Sequence, residues 1–201
     1  MNDNFAHRAA EWDSPEKTKM TEIFVAEMLS HVSLNPEWKA LEIGAGTGLV
    51  GMQIIEKVGS MVFEDTSAAM LEILKQKLDN NDKVEIVHGE VYDYQKNDID
   101  LAFSCMAFHH IPDIEKTLNH LGNITNSGAT IVIGDLRSED GSFHRFEPIP
   151  HKGFDTEVLS KQFQNAGFEI VINKTYHTLV RERTEGNVTN YEQFILIAKK
   201  K

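Results

Sequence analysis

The run Leu41-Glu42-Ile43-Gly44-Ala45-Gly46-Thr47-Gly48-Leu49-Val50-Gly51 constrains this chain more than any other stretch. Ala40, Leu41 and Ile43 read as the end of a buried strand. Three glycines follow at alternate positions. Leu49, Ile54, Ile55 and Val58 then mark a helix ending near Gly59. Strand, glycine turn and helix is how an α/β sheet brings its backbone close to a nucleotide. Glycine has no Cβ, so the turn can close tightly against a ligand. The helix start adds unpaired N–H groups and a positive dipole end.

The spacing bears on which nucleotide. A dinucleotide fingerprint is G-x-G-x-x-G/A, whose third small residue lets helix and strand pack closely. Here that position is Leu49, too bulky for the role. Glu42, two residues before the first glycine, brings a carboxylate that suits an ammonium or sulfonium group and repels phosphate. The string resembles the first motif, E/D-x-G-x-G-x-G, of class I S-adenosylmethionine-dependent methyltransferases. The resemblance implies that Glu42, Gly44, Ala45, Gly46 and Gly48 line the cofactor, S-adenosylmethionine.

The rest of the chain is organised around that unit. Ser14 and Pro15 start an amphipathic helix over 15–32, with Met20, Ile23, Phe24, Met28 and Val32 on one face. Strands are expected near 39–44, 61–63, 84–87, 99–104 and 129–133. Helices are expected between them: one capped by Ser67, and one carrying Ile114, Leu118, Leu121 and Ile124. This alternation implies right-handed βαβ units and a parallel sheet. Residues 136–154 read as irregular, and a helix near 156–166 closes at Gly167. Strands near 168–180 and 190–198 then form a hairpin across Glu185-Gly186-Asn187. The expected fold class is α/β, a Rossmann-like, mostly parallel sheet with one antiparallel strand and helices on both faces. By the family resemblance it has seven strands in the order 3-2-1-4-5-7-6.

Further motifs extend the resemblance over about residues 38–198. Asp65 ends the second strand, at the edge where such sheets bind ligands. Asp65-Thr66-Ser67-Ala68-Ala69-Met70-Leu71 is similar to the family's D-x-S-x-x-M-L. It implies that Asp65 holds the ribose and that Thr66 and Met70 lie beside the adenosine. Glu64 competes for the ribose role, but strand alternation points it to the opposite face. Gly89-Glu90-Val91 matches the G-D-A position, which assigns Glu90 and Val91 to the adenine. Ser104-Cys105-Met106-Ala107-Phe108-His109-His110-Ile111-Pro112 resembles a segment of small-molecule methyltransferases of the ubiquinone-biosynthesis-like group. Cys105 joins the expected cofactor contacts. His109 and His110 are the catalytic candidates, His109 first as the group that accepts a proton, against the plainer alternative of packing or capping. His144 and His151 form a weak metal pattern, and no metal is expected. Phe5, Ala9 and Trp12-Asp13 resemble the start of some family members, where an aromatic covers the cofactor.

Composition narrows the class. At 201 residues the chain is expected to form one domain over 1–201, with a helical lid at 1–35 and a substrate-side loop at 136–154. A formal net charge of −11 disfavours nucleic acid and acidic membranes as main partners. Cys105 is the single cysteine, so no internal disulfide forms and a reducing cytoplasm is the easiest fit. No apolar run near the start suits a signal peptide, and none reaches transmembrane length. The expected activity is methyl transfer from S-adenosylmethionine to a small-molecule acceptor, by a monomer or homodimer. Two rivals remain. One is a non-catalytic module that senses the same cofactor. The other is an NAD-dependent oxidoreductase, which Leu49 and Glu42 disfavour.

Overall fold

The computed structural model describes residues 6–79, 81–184 and 187–201. Seven strands form one sheet: β1 (Lys39–Ile43), β2 (Ser60–Asp65), β3 (Val84–His88), β4 (Ile99–Cys105), β5 (Thr125–Leu136), β6 (Phe168–Thr184) and β7 (Asn187–Lys200). Their order is β3-β2-β1-β4-β5-β7-β6, as the family resemblance implied. Strands β1 to β5 pair in parallel. Strand β7 runs antiparallel to both β5 and β6.

Among the described residues, four α-helices cover the two faces: α1 (Pro15–His31), α2 (Ala68–Lys77), α3 (Ile114–Ile124) and α4 (Thr156–Asn165). Each starts on a side chain that accepts an orphan N–H. Ser14 takes that of Lys17, Ser67 that of Met70, Asp113 that of Lys116, and Asp155 those of Glu157 and Val158. Phe24, Met28, Leu71 and Leu74 of α1 and α2 pack on one face of the sheet with Phe63, Phe103 and Ile195. Leu118, Leu121, Leu159 and Phe163 of α3 and α4 pack on the other with Leu41, Ile131 and Phe194. Fully burying a side chain of this size contributes about 1.5–3 kcal/mol. Two such layers hold the strand ends, and so the site, in place.

Three segments differ from the sequence reading. The helix expected after the glycine turn is two 3₁₀ turns, Gly51–Gln53 and Ile55–Lys57. In an α-helix the Gln53 N–H would bond to the Leu49 carbonyl. Here the Gln53 side chain donates to that carbonyl at 2.6 Å, and its backbone N–H turns to Val50. Strand β5 is longer than the expected 129–133. It absorbs the Ser127-Gly128 turn through a register jump, with Ile99 opposite Thr125 and Leu101 opposite Thr130. The hairpin is also longer at both ends. Its expected turn residues Glu185 and Gly186 lie outside the described residues, as does Phe5.

Candidate active site

The glycine turn sits at the carboxyl ends of β1 and β2. Gly44, Gly46 and Gly48 all take positive φ, at 67°, 55° and 81°. L-residues with a side chain rarely adopt this region. Space is also closed at Gly44, where an added Cβ would stand 2.3 Å from the Ala107 Cβ. The turn after β1 and the turn after β4 are therefore in contact.

Three carboxylates meet this turn. Asp65 Oδ2 accepts the Gly46 N–H at 2.6 Å, and Asp65 Oδ1 accepts that of Ser67 at 2.8 Å. Glu64 Oε2 stands 3.4 Å from the Gly44 nitrogen. Glu42 Oε2 accepts the Gly51 N–H at 2.9 Å. Strand alternation predicts opposite faces for Glu64 and Asp65. Both reach the turn because it folds back over the end of β2, with the Ala45 N–H bonded to the Glu64 carbonyl at 2.8 Å. Burial pushes both the Glu42 and Glu64 carboxyls well above the usual carboxylate range, and the Asp65 charge adds to each. The Gly51 and Gly44 N–H groups work the other way.

The remaining cofactor candidates gather around this group unevenly. The Gly89 N–H donates to the Asp65 carbonyl at 3.1 Å, which sets the Gly89-Glu90-Val91 turn beside Asp65. Glu90 is exposed there, and Val91 is buried beneath. Thr66 is exposed at the rim, and Met70 is buried in the first turn of α2. Cys105 ends β4 half-buried. Burial raises its thiol pKa well above the usual range, helped by the nearby charges of Asp135 and Glu42.

The N-terminal segment is tied to the same turn. Thr47 Oγ1 donates to Asp13 Oδ1 at 2.5 Å. Lys77 Nζ bridges Asp13 Oδ2 at 2.6 Å and the Thr47 carbonyl at 2.7 Å. Trp12 lies against Gly46, and Lys17 Nζ stands 3.2 Å from the centre of its ring. Ala9 is buried in the 3₁₀ turn Ala6–Glu11 that precedes it.

Past β4 the chemistry changes from acids to histidines. The 3₁₀ turn Phe108–His110 carries both catalytic candidates. His109 is buried, and its Nδ1 lies 2.6 Å from Oδ1 of the buried Asp135. Its backbone N–H also meets Asp135 Oδ2, at 3.1 Å, and the Leu136 N–H meets Oδ1 at 2.7 Å. The His109 Nε2 is 3.2 Å from the Nε2 of His144. His110 is half-buried and stacks 4.2 Å from the His109 ring. Its pKa is pushed down to about 3, first by burial, then by His109 and His144. Of the weak metal pattern in the sequence, His144 joins His109 and His110, and His151 does not. His151 turns instead to the Ile111 carbonyl, 3.0 Å from its Nε2.

Two functional candidates escaped the sequence reading. Strand alternation hides Glu64. Asp135 was passed over, although a carboxylate inside the apolar run of β5 must find partners when buried. That isolated charge was the available signal.

An α/β sheet of this order, with an acid-lined glycine turn at its carboxyl edge, defines the class I S-adenosylmethionine-dependent methyltransferase fold. A sequence profile described as the methyltransferase domain matches residues 40–128. An uncharacterised methyltransferase of Oceanobacillus iheyensis is 31% identical over 151 residues, covering 72% of this chain and 68% of that protein. The chain belongs to the methyltransferase family. Among solved structures, a complex between the Haloferax volcanii Trm112 methyltransferase activator and a methyltransferase matches with a TM-score of 0.81 at 15% identity. That match covers 99% of this chain and 98% of the other. An S-adenosylmethionine-dependent methyltransferase from Aquifex aeolicus matches with a TM-score of 0.71 at 18% identity, covering 96% and 97%. No helix among the described residues is long and apolar enough to cross a membrane.

Proposed function

We propose that this methyltransferase moves a methyl group from S-adenosylmethionine to a small-molecule acceptor. The observation that carries the cofactor reading is the convergence of Glu42, Glu64 and Asp65 on the glycine turn. Two of the turn's N–H groups already face carboxylates, so the turn offers a phosphate little and a cation much. These residues fit a ligand bearing a sulfonium and an ammonium. On this reading Asp65 exchanges its Gly46 bond for the ribose hydroxyls. Glu90 and the Val91 N–H meet the adenine, and Thr66 and Met70 flank it. Glu42, Gly44, Ala45, Gly46, Gly48 and Cys105 line the methionine end. The cofactor brings the electrophilic carbon and its own leaving group, so the protein's work is to orient and to exclude water.

The acceptor side is assigned to the 105–112 turn, the 136–154 loop and the strap around Trp12. Trp12, tied down through Asp13 and Thr47, is the cover that keeps water from the reacting atoms. His109, held by Asp135, and His110 act on the acceptor and not on the cofactor. A labelled-methyl assay over pooled metabolites tests this. The expected result is label in the small-molecule fraction with matching S-adenosylhomocysteine. Tight cofactor binding without turnover would instead identify a sensor, and label in protein or RNA would reject the small acceptor.

A further inference from the structure

His109 and His144 are 35 positions apart in sequence, yet they meet with His110 above the ends of β4 and β5. One ring nitrogen from each of the three lies within 4.8 Å of the others. Asp135 engages His109 at Nδ1, so in the neutral ring the lone pair sits on Nε2, the atom 3.2 Å from His144 Nε2. Two nitrogens bound to one tetrahedral zinc at about 2.0–2.1 Å stand roughly 3.3–3.4 Å apart. The His109–His144 spacing is close to that edge, and the wider separations in the cluster, up to 4.8 Å, close by side-chain rotation as the ion binds. A hydrogen-bonded histidine pair also reaches this distance, but it needs neither a third ring nor a carboxylate behind the first. A metal-bound histidine almost always donates its other N–H to a carboxylate or carbonyl, which fixes tautomer and orientation. Asp135 meets that description.

The loop that brings His144 back is built for this approach. Gly141, Arg145 and Phe146 take φ of 101°, 55° and 60°, bracketing the 3₁₀ turn Ser142–His144. Left-handed backbone at two successive side-chain-bearing residues is strained and persists only where surrounding contacts hold it. The loop is stitched to the histidine turn by the His151 N–H on the His109 carbonyl at 3.2 Å.

We propose that His109, His110 and His144 form a site for a divalent transition cation of the zinc class, with Asp135 holding the His109 ring. Three imidazoles suit zinc, copper, iron or nickel, and not the oxygen-seeking magnesium or calcium. Three protein ligands leave a fourth position for water or the heteroatom of an incoming molecule, the pattern of a catalytic metal centre. The site shares His109 and His110 with the proposed acceptor side, but its test stands apart from methyl transfer, because the ion is measured without any cofactor present.

The test uses the full chain stripped with a chelator and desalted. Zinc is titrated by calorimetry, and cobalt(II) is followed by its visible absorption. The expected result is one ion per chain and an intense, tetrahedral cobalt spectrum. His144→Ala and His110→Ala, each checked for fold by circular dichroism, weaken zinc binding at least ten-fold. His151→Ala, in the same loop but turned to Ile111, binds as the wild type does. Absent zinc binding, a weak octahedral cobalt spectrum, or affinity retained in both His110→Ala and His144→Ala overturns the proposal.

Discussion

At the ends of β1 and β2, three carboxylates share the N–H groups of the glycine turn and of the 3₁₀ turn that follows it. At the ends of β4 and β5, one carboxylate, Asp135, collects three N–H groups and orients a histidine. In the first arrangement Glu42 and Glu64 are buried beside the Asp65 charge, which makes ionising all three unfavourable. In the second, the carboxylate itself is fully engaged. The difference implies a division of labour. The acidic side needs an outside positive charge to balance it, whereas on the histidine side Asp135 already fixes the His109 ring before any ion arrives. The two regions meet where Gly44 touches Ala107, and at Cys105, whose thiol feels both Asp135 and Glu42.

That contact is where the comparison breaks most easily. Gly44→Ala adds a Cβ 2.3 Å from the Ala107 Cβ at a φ of 67°. Backbone strain and overpacking each cost about 1–3 kcal/mol. A chain of this size loses about 2–4 °C in Tm per kcal/mol. A thermal melt should therefore fall by about 5–20 °C, with cofactor binding lost. Gly46→Ala is the milder control, because its Cβ meets only the Trp12 Nε1, at 3.7 Å. Equal melts for the two variants would mean that the turns do not constrain each other.

A smaller effect sharpens the contrast in charge. Glu42 has a folded-state pKa raised above its ordinary 4.5, so its protonated form favours the fold. Its contribution is full below that ordinary value and is lost as pH rises through the raised one. Glu42→Gln keeps an acceptor for the Gly51 N–H and removes the charge. The ligand-free variant should melt a few degrees higher than wild type at pH 7, with a flatter pH dependence. Its cofactor affinity should fall, while wild-type affinity climbs with pH. A variant less stable than wild type at pH 7 would contradict the excess-charge account.

The acidic side was legible in the sequence because its information is local. Glu42, the three glycines and Asp65 lie in strings whose spacing alone sets strand ends and turns. The order of the strands followed from resemblance, and the apolar faces of α1 and α3 from their helical period. The 3₁₀ turns after Gly48 were not legible, because a side chain, Gln53, decides the hydrogen bond that an α-helix would need. Glu64 was hidden by the alternation rule, which fails where a turn folds back over a strand end. The histidine side is assembled from residues distant in sequence. His109 was visible in its motif, but its contacts with Asp135 and His144 exist only after β4, β5 and the loop are brought together.

The central claim is that the acid-lined turn takes a cationic adenosyl ligand, and calorimetry on the wild type and Asp65→Ala tests it most directly. Hydrogen bonds to a charged acceptor contribute about 1.5–3 kcal/mol each. The account predicts binding of S-adenosylmethionine and S-adenosylhomocysteine, no heat with NAD, and a loss of roughly ten-fold to a few hundred-fold in Asp65→Ala. Heat from NAD, or an Asp65→Ala variant that binds S-adenosylmethionine as tightly as the wild type, would contradict it.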